Sequence, residues 1–78
     1  MFSMHIRPEV LARLREEYPA GTRVELIEMN DPYREMPPGI KGTVQLVDDA
    51  GGIHIIWDNG STLAAIHGFD KIRKIGNK

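Results

Sequence analysis

An Asn-Gly pair between two apolar runs is the sequence feature that most constrains this fold. Residues 53–57 read Ile-His-Ile-Ile-Trp, and Asp58-Asn59-Gly60-Ser61 separates them from the next apolar residues. Asn-Gly is the strongest short-range signal for a tight β-hairpin. The primed hairpin turns need positive φ at their central residues, and Asn and Gly tolerate this best. The sequence therefore predicts two antiparallel strands joined by a primed turn at this point.

The N-terminal segment predicts one α-helix over residues 8–18. Pro8 suits the first helical position, because its missing N–H would have no intrahelical partner there. Pro19 and Gly21 end the helix. Apolar residues recur on one helical face, namely Val10, Leu11, Leu14 and Tyr18. We expect this face to dock on the rest of the domain, and residues 1–7 to form a flexible arm ahead of the helix.

Five short strands are predicted after the helix, separated by turns rich in Gly, Pro, Asn and Asp. In the first strand, the alternation of apolar and polar residues slips at Ile27, which indicates a β-bulge. In the second strand, Val44 and Leu46 share the inward phase, and Gly42 indicates a bulge or a close approach of backbone. The predicted strands are residues 22–29, 40–47, 53–57, 61–66 and 71–75, with a loop over 30–39 and a short turn over 67–70.

This order of elements is typical of an SH3-like barrel. The predicted fold is therefore mainly β, with a five-stranded small barrel over residues 22–75 preceded by one helix. Partial closure of such a sheet would protect its edges. The alternative is an oligonucleotide-binding barrel, which usually inserts a helix between its third and fourth strands, where Asp58-Asn59-Gly60 leaves no room. A chain of 78 residues is expected to form a single domain, residues 1–78.

Composition indicates the class of protein and the compartment to expect. The hydrophobic fraction is 41% and there is no cysteine, which predicts a folded core without disulfides or a thiolate zinc site. The first residues show no long apolar run typical of a signal peptide, and no segment approaches the ~20 apolar residues of a membrane span. We therefore expect a cytoplasmic protein that does not enter membranes. A net charge of −1 provides no overall attraction to nucleic acid.

Several segments spread over residues 8–75 match one known pattern. They include Tyr18-Pro19-Ala20-Gly21-Thr22, Pro37-Pro38-Gly39, Lys41-Gly42-Thr43-Val44 and Trp57-Asp58-Asn59-Gly60-Ser61. In combination they resemble the family called domain of unknown function 4314, whose members are small proteins of bacteria, phages and integrated mobile elements. The resemblance implies a cytoplasmic bacterial setting. It implies no activity, substrate or catalytic residue, so no functional residue is carried over from it.

The first predicted loop holds one candidate binding site. Tyr33 lies there with Met36, Pro37 and Pro38, and in SH3-like barrels this loop flanks the usual ligand groove. An aromatic side chain at that place can form one wall for an extended or proline-rich peptide. The alternative is that these residues only stiffen the loop and cover one end of the barrel.

Trp57 ends the third predicted strand and allows two interpretations. It would stack on a base, a ring or a peptide proline if its face were open to solvent. It also shares a strand face with Ile53 and Ile55, which favours a place in the core.

Four cations suggest a basic strip. Lys41, Lys71, Arg73 and Lys74 would lie together if the second and last strands were near each other. They would then contact phosphates with a salt-sensitive affinity. The alternative is protection of an edge strand, where lysine blocks pairing with other sheets.

Metal binding and catalysis are not expected. His5, His54 and His67 fit no ligand spacing, and turn formation explains Asp48, Asp49, Asp58 and Asn59. The sequence shows no nucleophile elbow, catalytic triad order or phosphate-binding loop. We therefore predict a protein that is not an enzyme and has no cofactor.

The functional hypothesis from sequence is a non-catalytic binding module that recognises a protein or peptide partner. The alternative is a nucleic-acid-binding small barrel that uses the basic C-terminal strip. A thin core together with an amphipathic helix is compatible with a monomer or a homodimer.

Overall fold

A computed structural model describes residues 6–29 and 36–76. The elements in chain order are α1 (Pro8–Glu17), β1 (Arg23–Glu28), β2 (Lys41–Val47), β3 (Gly52–Trp57), β4 (Ala65–Ile66) and β5 (Lys71–Lys74). The predicted class is confirmed, since one N-terminal helix precedes five strands in a single sheet. The proposed arm lies mostly outside the described residues.

The sheet is antiparallel, and its order is β4-β3-β2-β1-β5. The two short strands β4 and β5 form the edges, and no ladder joins them in the described part of the chain. The sheet is therefore curled but open, and the barrel expected from sequence is only loosely realised. The predicted fourth strand, residues 61–66, shrinks to Ala65–Ile66. Ahead of this short strand, the Leu63 carbonyl accepts the Trp57 indole N–H at 2.8 Å.

The helix occupies its predicted position. Pro8 stands at its start, Glu9 places an acid in the first turn, and the Tyr18 N–H donates to the Leu14 carbonyl at its end. Leu14 is buried in the core, while the Arg15 guanidinium donates to the Val47 carbonyl. The helix is thus fixed to the end of β2. No helix within residues 6–29 and 36–76 combines the length and hydropathy needed to cross a bilayer.

The core lies on one face of the sheet and includes Leu14 of the helix. It consists of Leu14, Val24, Leu26, Val44, Val47, Ile53, Ile55, Trp57 and Ala65. Trp57 is its largest member, with 1% of its surface exposed. Gly42 confirms the predicted close approach, because a Cβ there would lie 2.6 Å from Ile55 Cγ2 and 2.9 Å from Trp57 Cε3.

Two β-bulges decide which side chains enter this core. The bulge predicted at Ile27 is confirmed, since the β1–β5 register shifts between Leu26 and Glu28. A second shift, between Val44 and Leu46, makes Gln45 an extra residue in β2. This bulge reverses the phase that follows, so the inward prediction for Leu46 is wrong. Leu46 is 52% exposed and Val47 takes the core position.

The hairpin between β3 and β4 differs from its prediction. Among the described residues only glycines have positive φ, so Asn59 does not adopt the left-handed conformation that a type I′ turn requires. Instead, the Gly60 N–H donates to the Trp57 carbonyl and the Trp57 N–H to the Ser61 carbonyl. Within this turn Gly60 is the residue with positive φ, at +91°. This is the three-residue hairpin, a type I turn closed by a left-handed glycine.

Candidate functional site

A groove of about 530 Å³ opens where the sheet fails to close. It lies between the C-terminal half of α1 and the segment that links β4 to β5. Its lining residues are Leu14, Glu17, Tyr18, Ile27, Ile53, Ala65, Ile66, His67, Gly68, Phe69, Asp70, Lys71 and Ile72. A concave, mainly apolar site with a few polar groups is the usual form of a binding site.

The turn after β4 forms one wall of the groove and is well fixed. The N–H groups of Phe69 and Asp70 donate to the Ile66 carbonyl at 3.0 and 2.9 Å. The Asp70 carboxylate accepts the Ile66 N–H at 2.8 Å. This reciprocal pairing holds the short turn closed without any regular strand, so the wall is preformed.

The floor and rim of the groove are apolar. Leu14, Ile53 and Ala65 form the floor, and all three belong to the core. Ile27 stands on the rim because the β1 bulge turns it out of the core, leaving it 43% exposed. Phe69, at the tip of the β4–β5 turn, is 55% exposed. Large apolar side chains exposed beside a concave surface mark interaction sites more often than isolated ones do.

Charged and polar groups surround this apolar surface. Glu17 and Asp70 provide carboxylates, and Lys71 provides an ammonium group. Burial raises the pKa of the Tyr18 hydroxyl, and the nearby Glu17 charge adds to the effect. The Tyr18 phenol is therefore neutral over the physiological range and can donate a hydrogen bond. Lys74 Nζ lies 6.0 Å from the centre of the Tyr18 ring, at the limit of a cation–π contact.

The loop proposed as a peptide site lies elsewhere. Tyr33 falls outside the described residues. Met36 packs against the core, while Pro37 and Pro38 are exposed. None of these three lines the groove. The loop is tied to β1, because the Gly39 N–H donates to the Leu26 carbonyl at 2.7 Å.

Trp57 lies in the core, which was one of the two interpretations of its sequence context; the other was a ligand-stacking position open to solvent. Its ring is almost completely buried, and its only polar atom, the indole N–H, is bound to the Leu63 carbonyl. In this conformation the ring offers no face to a ligand.

The four cations of the basic strip do not form one surface. The strand β1 lies between β2, which carries Lys41, and β5, which carries the other three. Glu25 of β1 pairs in register with both Lys41 and Arg73. The Arg73 Nε donates to Glu25 Oε1 at 2.8 Å, and Lys71 lies 4.0 Å from the Glu28 carboxylate. Carboxylates therefore interrupt the strip on its inner side.

The acidic residues singled out in the sequence act in turns and ion pairs. Asp48 accepts the N–H groups of Ala50 and Gly52 and pairs with His54 Nε2 at 2.8 Å. The His54 hydrogen bond, followed by those backbone bonds, lowers the pKa of Asp48. A two-fold contact with the Arg23 guanidinium likewise lowers the pKa of Asp58. Within the described ranges, no group of three or more His, Cys, Asp or Glu side chains could hold a metal ion.

Sequence reasoning missed the groove, although two signals pointed toward it. The phase slip at Ile27 showed that this side chain leaves the core pattern, and Phe69 placed a large aromatic ring within a polar turn. Neither signal identified a site, because the groove exists only where the two edges of the sheet fail to meet.

Comparison with known proteins supports the resemblance in the sequence. No curated protein is significantly similar to this chain. Residues 7–75, nearly the whole chain, match the family described as Domain of unknown function (DUF4314). The match spans the helix, all five strands and every residue that lines the groove. The chain is therefore a member of the DUF4314 family.

Proposed function

We propose that this protein is a non-catalytic binding module that holds an apolar segment of a protein partner in the groove between α1 and the β4–β5 turn. The observation that carries the proposal is the continuous apolar surface from the buried floor (Leu14, Ile53 and Ala65) to the exposed rim (Ile27 and Phe69). Burial of such surface is the main source of affinity between proteins. We place this function in the bacterial cytoplasm, as the family resemblance implies.

The geometry favours this groove over the proline-rich loop. The described part of the loop offers exposed Pro37 and Pro38 but directs Met36 into the core. The groove combines depth with exposed aromatic and aliphatic groups. Aromatic anchors in pockets dominate the binding energy of protein interfaces.

Nucleic-acid binding has less support as a function. The cations proposed for it are divided by β1, and Arg73 and Lys71 already face glutamates. Binding to phosphates requires a positive surface that releases counterions. Here Lys41 lies across β1 from the other three cations, so the four do not form one continuous positive surface.

Site-specific photocrosslinking in the native host tests the proposal. A benzophenone amino acid would replace Phe69 in the groove, Pro38 in the loop, or Leu46, an exposed apolar position on β2 away from the groove. We expect a discrete protein adduct from position 69 and none from position 46. An adduct from position 38 alone would show that the partner binds the loop and not the groove. Equal adducts at all three positions would contradict a specific site.

A further inference from the structure

The strand β5 borders the groove and leaves one backbone edge open. The Ile75 N–H donates to the Arg23 carbonyl at 3.0 Å. Hydrogen-bonded pairs alternate along an antiparallel ladder, so Arg73 directs its backbone groups toward Glu25 of β1. The N–H and C=O groups of Ile72 and Lys74 therefore point away from β1.

The neighbouring strands confirm this alternation independently. Leu26 pairs with Ile72 in register, but its own N–H donates to the Ile40 carbonyl and its carbonyl accepts the Gly39 N–H. Both polar groups of Leu26 are thus turned away from β5. Within residues 6–29 and 36–76, no backbone hydrogen bond reaches the outer edge of β5 at Ile72 or Lys74.

The charges on this edge define what it accepts. Three of the four β5 residues are cationic, namely Lys71, Arg73 and Lys74. The Lys71 and Arg73 side chains are 73% and 61% exposed, whereas that of Glu25, one strand further in, is only 21% exposed. A strand that adds beyond β5 therefore meets cations first.

A second copy of the chain does not fit this edge. Two β5 strands paired side by side would place lysine and arginine opposite lysine and arginine, and like charges in opposite positions destabilise a sheet. The same charges attract a strand of opposite sign, so the edge is compatible with an acidic partner and discourages self-association.

We propose that the open edge of β5 binds an extended segment of a partner protein by strand addition, in which apolar residues alternate with Asp or Glu. This inference rests on the proposed function of the groove and specifies its ligand. Ile72 lines the groove. Strand alternation places Lys74 on the same face of β5, with its Nζ 6.0 Å from the Tyr18 ring centre, and Arg73 on the opposite face with Glu25. Alternate side chains of an added strand point to opposite faces. Its apolar residues enter the groove beside Ile72. Its acidic residues lie over Arg73 and near Lys71, whose ammonium group borders the groove at the start of β5.

Peptide display on the immobilised full chain is the first test. We expect a library of random ten-residue peptides to yield sequences that alternate Val, Ile, Leu or aromatic residues with Asp or Glu. Selection of basic or proline-rich peptides, or of no peptide above background, would overturn strand addition. Specific binding of single-stranded DNA in place of peptides would also overturn it.

Two substitutions at one position separate edge hydrogen bonding from charge. Lys74→Ala removes the ammonium group and keeps the N–H, whereas Lys74→Pro removes both. Proline is tolerated on an edge strand where its nitrogen faces solvent. We expect Lys74→Pro to bind the selected peptide at least about tenfold more weakly than Lys74→Ala, since strand addition depends on backbone hydrogen bonds. Equal affinities of the two variants would exclude the edge.

Peptide variants provide a measurement that does not depend on the folding of Lys74→Pro. N-methylation of the selected peptide at the residues whose N–H faces β5 should abolish binding. N-methylation at the alternating residues should preserve it, because those N–H groups face away. Equal effects at both sets of positions would rule out strand addition.

A matched pair of charge reversals tests the acidic preference. Lys71→Glu on β5 should weaken binding of the peptide about tenfold, and Lys41→Glu, the same change in charge on β2, should have little effect. Equal losses would contradict local recognition by β5. If photocrosslinking identifies a partner at position 69 that binds Lys74→Pro and Lys74→Ala equally well, the groove function stands and strand addition is wrong.

Discussion

The centre and the edges of this sheet differ in how tightly they are packed. At the centre, β2 and β3 press Gly42 against Trp57 and Ile55 so closely that a single added methyl group would collide. At the margins, β4 has two residues, no ladder joins the two edges in the described part of the chain, and Ile27 and Phe69 are 43% and 55% exposed. A chain this short buries a limited fraction of its surface. The comparison shows that it concentrates its tight packing in one region and leaves apolar surface uncovered in another.

The largest difference between the two regions should appear on truncation of a large apolar side chain in each. Trp57→Ala removes the most voluminous core side chain and frees the Leu63 carbonyl, so we expect a loss of about 3–5 kcal/mol in the free energy of unfolding. Ile27→Ala at the groove rim should cost at most about 1 kcal/mol. Urea unfolding followed by circular dichroism measures both variants. Tryptophan fluorescence would not, because Trp57 is the only tryptophan in the chain and the Trp57→Ala variant lacks it. Similar losses would show that the groove rim is packed as firmly as the centre.

A smaller effect is expected from adding one methyl group to glycines in the two regions. The Cβ of Gly42→Ala would lie 2.6 Å from Ile55 Cγ2 and 3.0 Å from the Ile56 carbonyl oxygen. Such overpacking typically costs about 1–3 kcal/mol. The Cβ of Gly76→Ala, after β5, would have no neighbour within 4 Å among residues 6–29 and 36–76, so we expect the thermal midpoint to stay unchanged. An unaffected Gly42→Ala would mean that β2 and β3 can separate without penalty.

The smallest expected effect concerns the β2–β3 turn and depends on pH. The pKa of Asp48 is lowered in the folded protein, so the folded state favours the carboxylate more than the unfolded chain does. That contribution is complete above the ordinary carboxyl pKa, near pH 4, and is lost as pH falls through the lower folded value. Because the side chain is 41% exposed, solvent screening keeps the contribution small.

Asp48→Asn tests this dependence, because it removes the titration while keeping an oxygen that can accept the Ala50 and Gly52 N–H groups. We expect the variant to lose less stability than the parent protein between pH 5 and pH 2. Chemical denaturation at several pH values provides the measurement. Parallel curves for the two proteins would show that Asp48 does not contribute to acid sensitivity.

Local patterns in the sequence were sufficient to predict the helix and the strands, but not every bulge and strand boundary. Pro8 and Pro19 bracket the helix, and alternation places Val24, Leu26 and Val44 in the core. The slip at Ile27 was visible because it interrupts an apolar–polar alternation. The bulge at Gln45 was not, because Thr43 to Leu46 alternates regularly and the second apolar residue, Val47, stands at the end of the predicted strand. Nothing local distinguishes Leu46 from Val47 as the inward residue. Pairing with β3 makes that choice.

The turn and the groove were not predictable for a related reason. Asn-Gly favours a two-residue primed turn, but the register between Trp57 and Ser61 leaves three residues in the loop, and that register is set by the folded sheet. The groove is lined jointly by α1 and the segment that links β4 to β5, which are distant in the sequence. Folding brings these two segments together, so no periodicity along the chain signals the groove.

The Arg15 guanidinium joins the helix to the end of β2 through the Val47 carbonyl and the Asp49 carboxylate. The helix, one wall of the groove, is thereby attached to the β2–β3 hairpin. The opposite wall is the β4–β5 turn, which is held by the hydrogen bond between the Ile66 N–H and the Asp70 carboxylate. An occupant of the groove would bridge two parts of the molecule that are anchored separately. Ligand binding should therefore raise the thermal unfolding midpoint, and the rise should increase with ligand concentration.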